Sequence, residues 1–242
     1  MFPYRDELST QRPAVVTIGI IVLCTLVWLF YEGAGSFYYV NAATCNYGLI
    51  PGELTQSLQP GTGFPMGHGL ACIIDPGPQY LNLFTSMFLH GSWMHLLGNM
   101  WFLWIFGNNI EDSMTRPRFA VFYILCGLAA AMMQVLTGPS SPVPMVGASG
   151  AISGVMGAYV LLYPHVRVWT WVGFFIFPVP AWAMLFWWFF LQLGGGLTQD
   201  GTTGGTAFWA HVGGFLAGML LVRFFVVPEH MSLRRATLYQ PY

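Results

Sequence analysis

The chain has 242 residues, 55% of hydrophobic types and only 7% charged, with a mean hydropathy of +0.59. A soluble domain is about a quarter charged, and a net charge of −1 supplies no basic surface for nucleic acid. Disordered and collagen-like compositions fall on the same ground; a polytopic membrane protein is left.

Aromatic-rich apolar runs favour helices over the short period-two segments of a barrel. At about 20 residues per span, six helices would use roughly 120 residues, leaving no room for a large soluble domain. The expected fold is therefore an all-α bundle of six transmembrane helices, occupying 14–227 between an N-terminal segment (1–13) and a tail (228–242). The first span is 14–31; it ends in Trp28, Phe30 and Tyr31, too bulky for a cleaved signal core, and is expected to stay. A connection at about 33–83 follows, studded with Pro and Gly and too long for a plain linker. It holds Cys45 and Cys72, whose pairing the spacing leaves open. The remaining spans are 84–107, 119–137, 146–163, 168–193 and 207–227. Cys24 and Cys126 fall inside spans and read as packing residues.

There is no lysine, so the eight positive residues are all arginines. Arg5 and Arg12 precede the first span, Arg116 and Arg118 follow the second, and Arg167 follows the fourth. Arg223, Arg234 and Arg235 lie at the end. The connections near 33–83, 138–145 and 194–206 contain none. The positive-inside rule then places both termini in the cytoplasm of a cell-membrane protein.

Polar side chains inside hydrocarbon are expensive and need a reason. His95 and Asn99 lie in the second span, Ser149 at the head of the fourth and His211 in the sixth. All three spans run from outside to inside. Ser149 and His211 lie three to four residues in, some 5–6 Å at about 1.5 Å per residue. His95 is level with them if its helix begins near Ser92. One layer thus holds a hydroxyl, an imidazole fit to act as its base, and two donors at i and i+4 on one helical face. The unpaired N–H groups where Ser149 opens its helix suit a developing oxyanion. Gly150 and Gly154, answered by Gly214 and Gly218, let the two helices approach closely. No Asp or Glu lies in the outer half of these spans, so the constellation is a Ser–His dyad with a side-chain oxyanion hole. Gly194–Gly196, Gly201, Gly204 and Gly205 would make the last outer connection flexible.

These residues resemble the rhomboid family of intramembrane serine proteases, from about Leu81 to Val222. His90 with the His95-Leu-Leu-Gly-Asn99 segment is similar to the family's second-span signature. Gly147-Ala-Ser149-Gly150 resembles its nucleophile motif, and Ala210-His211-Val-Gly-Gly214 with Gly218 resembles its catalytic-histidine helix. The resemblance implies Ser149 as nucleophile and His211 as general base. It assigns His95, Asn99 and the Ser149 amide to the oxyanion hole. Membrane-protein substrates would be cut in or beside their transmembrane segments, within a lipid bilayer and without metal, cofactor or nucleic acid. His90 and the named glycines would support the site, and Glu111 would be structural. Leu81 and Asn82 stand where many members carry Trp-Arg, which leaves the anchoring of the first outer loop open. Three other readings compete: an inactive rhomboid-like binder of membrane proteins, a transporter, and a zinc protease using His90, His95 and His211. The i,i+5 spacing of His90 and His95 and the lack of H-E-x-x-H weigh against zinc. Polar groups confined to one layer weigh against a transport path.

Overall fold

The computed structural model describes residues 1–199 and 205–231. The short strand β1 (Phe2–Asp6) leads into α1 (Val15–Leu26), which continues as a wider helical turn over Val27–Tyr31. The connection that follows is folded: α2 (Phe37–Tyr47), the single turn α3 (Pro51–Leu54) and a hairpin of β2 (Gly63–Gly67) with β3 (Leu70–Ile73). Next come α4 (Asn82–Thr85), α5 (Trp93–Phe102) and α6 (Asn108–Asp112), the last two joined through a wide turn over Leu103–Gly107. The bundle is completed by α7 (Arg116–Thr137), α8 (Ser149–Leu162), α9 (Ala181–Thr198) and α10 (Phe208–Phe225). By length and composition, α7 and α10 can each cross a membrane, with stretches of mean hydropathy 2.1 and 1.5. Val15–Tyr31 and α8 are shorter apolar helices.

α8 is the centre of the fold, buried along nearly its whole length, from Gly150 to Val160. Small residues make this possible. A methyl group added to Gly214 or Gly218 on α10 would overlap the carbonyl oxygen of Gly150 or Gly154, respectively, and one on Gly157 would overlap Phe215 O. On the α7 side, Gly150 and Gly154 face the β-carbons of Ala130 and Cys126. These backbones touch because no side chain stands between them, which is the packing available to helices in lipid. Phe119, Phe122, Tyr123 and Phe215 are fully buried around this contact. Cys24 and Cys126 are buried free thiols, in keeping with packing roles.

At the opposite end from Ser149, buried carboxylates tie the N-terminal segment down. Glu111 accepts hydrogen bonds from the backbone N–H groups of Val16 (2.9 Å) and Thr17 (2.8 Å), capping α1 from another helix. Asp112 accepts from Gln11 N at 2.8 Å and pairs with Arg12 at 3.4 Å. Asp6 accepts from Asn109 Nδ2 (2.7 Å) and Tyr159 Oη (2.6 Å).

The stretch 168–193, expected to be one span, is two things. Arg167–Val172 and Phe175–Pro180 form an antiparallel hairpin, β4 and β5, turning at Gly173 with φ +62°. β1 pairs antiparallel with the other edge of β4, giving the order β1-β4-β5. Hydropathy does not separate a β-hairpin from a helix, but side-chain chemistry does. Alternating Val, Thr and Trp favour an extended chain, and Pro178 and Pro180 remove donors that a helix needs. The helix starts only at Ala181 and runs on through Gly194–Gly196 to Thr198. Those three glycines are therefore helical rather than part of a flexible connection; Gly201 and Gly204 lie outside the described residues, as do Arg234 and Arg235. The stretch 84–107 is also broken: extended backbone at Leu89 and Ser92 divides the α4 turn from α5.

The α8–α10 contact yields a stability prediction. Gly218→Val forces a branched side chain against the Gly154 carbonyl, and is expected to destabilise the protein by about 3 kcal/mol or more. Thermal unfolding in detergent measures this. A midpoint unchanged from wild type would show that the helices do not meet there.

Candidate active site

The approach of α8 to α10 sets Ser149, first residue of α8, against His211, one turn into α10. Ser149 Oγ lies 2.7 Å from His211 Nε2, hydrogen-bond distance. His211 Nδ1 lies 2.8 Å from Gln192 Oε1 on α9. The Trp188 indole, one turn earlier on α9, is 5.7 Å from the imidazole at 36°. Gln134 Oε1 on α7 accepts from the backbone N–H of Ala210 at 3.2 Å, satisfying a donor in the first turn of α10. Ser153 Oγ donates to Ser149 O at 2.6 Å.

α5 opens just beside this pair. Ser92 is its N-cap, accepting from His95 N at 3.1 Å. The backbone N–H of Gly91 donates to His95 Nδ1 at 3.3 Å, so a neutral His95 carries its proton on Nε2. That nitrogen is turned toward Gly147: a β-carbon there would lie 2.7 Å from His95 Nε2 and 3.6 Å from Asn99 Nδ2. Gly147 also has φ +125°, strained for any other residue. Its N–H donates to Ser86 O at 2.8 Å. Asn99 is buried, and its Nδ2 has no hydrogen-bond partner among the described residues. A buried donor of this kind is left available to an acceptor entering the site.

These groups share a cavity of about 430 Å³. His95, Asn99, Ser149 and His211 line it, together with Gln134, the Val143–Val146 stretch, Gln199 and Thr206. Its roof is fixed by the first connection: Leu49 and Met145 exchange backbone hydrogen bonds of 2.9 and 2.8 Å, and Gly52 N donates to Ser141 O at 2.9 Å. A Cys45–Cys72 disulfide closes the connection on itself. At the Leu81-Asn82 position Asn82 Nδ2 donates to Asn46 O at 3.3 Å, and three residues on Thr85 Oγ1 donates to Tyr47 O at 2.8 Å. The loop is thus held by these bonds.

His90 is fully buried. Its backbone N–H donates to Glu32 Oε1 at 2.8 Å, while both ring nitrogens lack partners among the described residues. The ring packs edge-on to His95, 5.2 Å between centroids. Among the described residues no group of three or more His, Cys, Asp or Glu is placed to hold a metal ion. Gln192, Gln134, Ser153 and Glu32 are among the neighbours that sequence reasoning passed over. Gln192 did carry a signal, as a lone amide inside an apolar run.

A rhomboid-domain family model matches residues 77–228, well over half the chain. The chain belongs to the rhomboid family. Among its relatives, rhomboid protein 1 of Saccharomyces cerevisiae mitochondria is 30% identical over 112 residues, 43% of this chain and 30% of that protein. RHOMBOID-like protein 6, mitochondrial, of Arabidopsis thaliana is 30% identical over 145 residues, 60% of this chain and 43% of the relative. Rhomboid protease GluP of Bacillus subtilis is 35% identical over 85 residues, 35% of this chain and 16% of the relative. The matches span less than half the length of each of these relatives. Rhomboid membership carries a helical, polytopic, membrane-embedded fold and, at the level of the family, an intramembrane protease-type function.

Burial pushes the Glu32 carboxyl up to about 7, with the His90 N–H pulling the other way. A carboxyl raised on folding binds its proton more tightly in the native state, so its contribution to stability is full below about pH 4.5 and is lost as pH rises through about 7. Wild type is expected to lose thermal stability between about pH 5 and pH 8, and Glu32→Gln to lose less. Equal slopes would remove Glu32 from this role.

Proposed function

We propose that the chain is an intramembrane serine endopeptidase that hydrolyses peptide bonds in or next to transmembrane segments of membrane-protein substrates. The observation that carries the reading is the Ser149–His211 hydrogen bond at 2.7 Å, beside a buried amide donor on Asn99 with no partner among the described residues. Ser149 Oγ attacks the scissile carbonyl carbon as its proton passes to His211 Nε2, and the carbonyl electron pair moves onto oxygen. The oxyanion is received by the Ser149 N–H, His95 Nε2–H and Asn99 Nδ2–H. Collapse of the intermediate breaks the C–N bond, and His211 returns the proton to the leaving amine. Water then repeats the sequence on the acyl-enzyme. Gly147, Gly150, Gly154, Gly214 and Gly218 keep these groups within reach, and His90 packs beneath His95.

The same reading puts the membrane domain at 14–227, with six helices, both termini cytoplasmic in a cell membrane and the cavity opening outward. The arginine distribution supports that orientation. The fifth crossing is α9, with the β4–β5 hairpin before it on the cytoplasmic side. No metal or cofactor enters the chemistry. A helix N-terminus leaves its first N–H groups without intrahelical partners, and Ser149 is the first residue of α8.

Two measurements test the proposal in lipid vesicles with a model transmembrane substrate. Ser149→Ala is expected to abolish cleavage while leaving the thermal midpoint in place. Persistent cleavage removes the reading, and a folded wild type that cleaves nothing favours the inactive binder. Asn99→Ala is expected to lower kcat about a hundredfold with little change in KM, the usual cost of one oxyanion donor. An unchanged kcat removes Asn99 from the hole.

A further inference from the structure

His211 makes two ring hydrogen bonds, and only one of them is to Ser149. On the other side, Nδ1 meets the side-chain oxygen of Gln192 at 2.8 Å. An amide oxygen is an acceptor only, so Nδ1 holds the imidazole proton and the lone pair lies on Nε2. That is the tautomer able to take a proton from Ser149 Oγ; the other presents an N–H to the hydroxyl and cannot act as base. Gln192 follows Trp188 by four residues on α9, so both come from one face of that helix. Trp188 lies against the imidazole ring, and Gln192 fixes its edge.

We propose that Gln192 is a positioning residue that completes a Ser149–His211–Gln192 triad by holding His211 in the productive tautomer and rotamer. This rests on the protease reading above. The proton bookkeeping is consistent with it. When Nε2 takes the Ser149 proton, Nδ1–H keeps donating to Gln192; when Nε2 gives that proton to the leaving amine, Nδ1–H still donates there. One acceptor therefore serves acylation and deacylation without reorientation. An amide also suits the setting better than a carboxylate, because a buried charge in the membrane layer is costly. Lacking a net charge, it stabilises the imidazolium only through its carbonyl dipole, and its effect is that of one hydrogen bond, about tenfold in rate.

The test compares Gln192→Met, which keeps length but neither accepts nor donates from an amide, with Gln192→Glu, which keeps the acceptor. Cleavage of a model transmembrane substrate in lipid vesicles and the labelling rate of Ser149 by a fluorophosphonate are measured together. Gln192→Met is expected to lower kcat and the labelling rate by about tenfold, with KM and thermal midpoint close to wild type. Gln192→Glu is expected to recover most of both rates; if that variant does not fold, Gln192→Met against wild type decides. Wild-type rates in Gln192→Met, or a loss confined to KM or to the thermal midpoint, overturn the assignment. Cleavage that survives Ser149→Ala overturns the protease reading itself, and the triad with it.

Discussion

The site depends on two backbones being able to touch. α8 and α10 meet at Gly150–Gly214 and Gly154–Gly218, where even a methyl group would overlap a carbonyl oxygen. That contact fixes the spacing and register of the two helices, and in that register Ser149 on one lies 2.7 Å from His211 on the other. In lipid there is no hydrophobic gain from pressing helices together, so close contact must come from small residues and complementary surfaces. The glycines meet that need, and the dyad inherits its geometry from them.

The surrounding elements then fill in what the two helices lack. α5, capped by Ser92, brings His95 and Asn99 to the same level and leaves the Nδ2 donor of Asn99 without a partner among the described residues. Gly147, with φ +125°, lets the chain turn into α8 without a side chain striking His95. The folded first connection, closed by the Cys45–Cys72 bridge, holds the cavity-lining residues Ser141 and Met145 through backbone bonds from Gly52 and Leu49. Far from the chemistry, the Glu111 carboxylate caps α1 and the Asp112 carboxylate binds the chain just before it. Polar groups are thus concentrated at the two ends of the bundle, with an apolar, glycine-lined middle.

What could be read from the sequence followed the cost of burying polarity. Ser149, His95, Asn99 and His211 were conspicuous because each sits in an apolar run, and one common depth follows from the scarcity of charge that orients the runs. By hydropathy these spans begin at 84 and 146, whereas the helices α5 and α8 begin at Trp93 and Ser149. Hydropathy alone does not separate a helix from a hairpin or a loop. Residues 167–180 are as apolar as a span, yet alternating β-formers and two prolines make them a hairpin. Gly194–Gly196 look like a loop but are carried by α9, whose last turns pack Gly195 and Gly196 against Phe208 and Trp209. Gln192 was visible as a polar residue, but its partner depends on the rotation of α9 about its axis, which sequence spacing across a broken span does not give. The fold of the first connection depends on pairings between distant residues that no local pattern encodes.

The central claim is that helix contact makes Ser149 a nucleophile through His211. Intact protein in lipid can be treated with a fluorophosphonate and the adduct located by peptide mass spectrometry, in wild type and in His211→Ala. The account predicts one adduct, on Ser149, in wild type and its near-complete loss in His211→Ala at an unchanged thermal midpoint. An adduct on another residue, or equal labelling of Ser149 without His211, would contradict it.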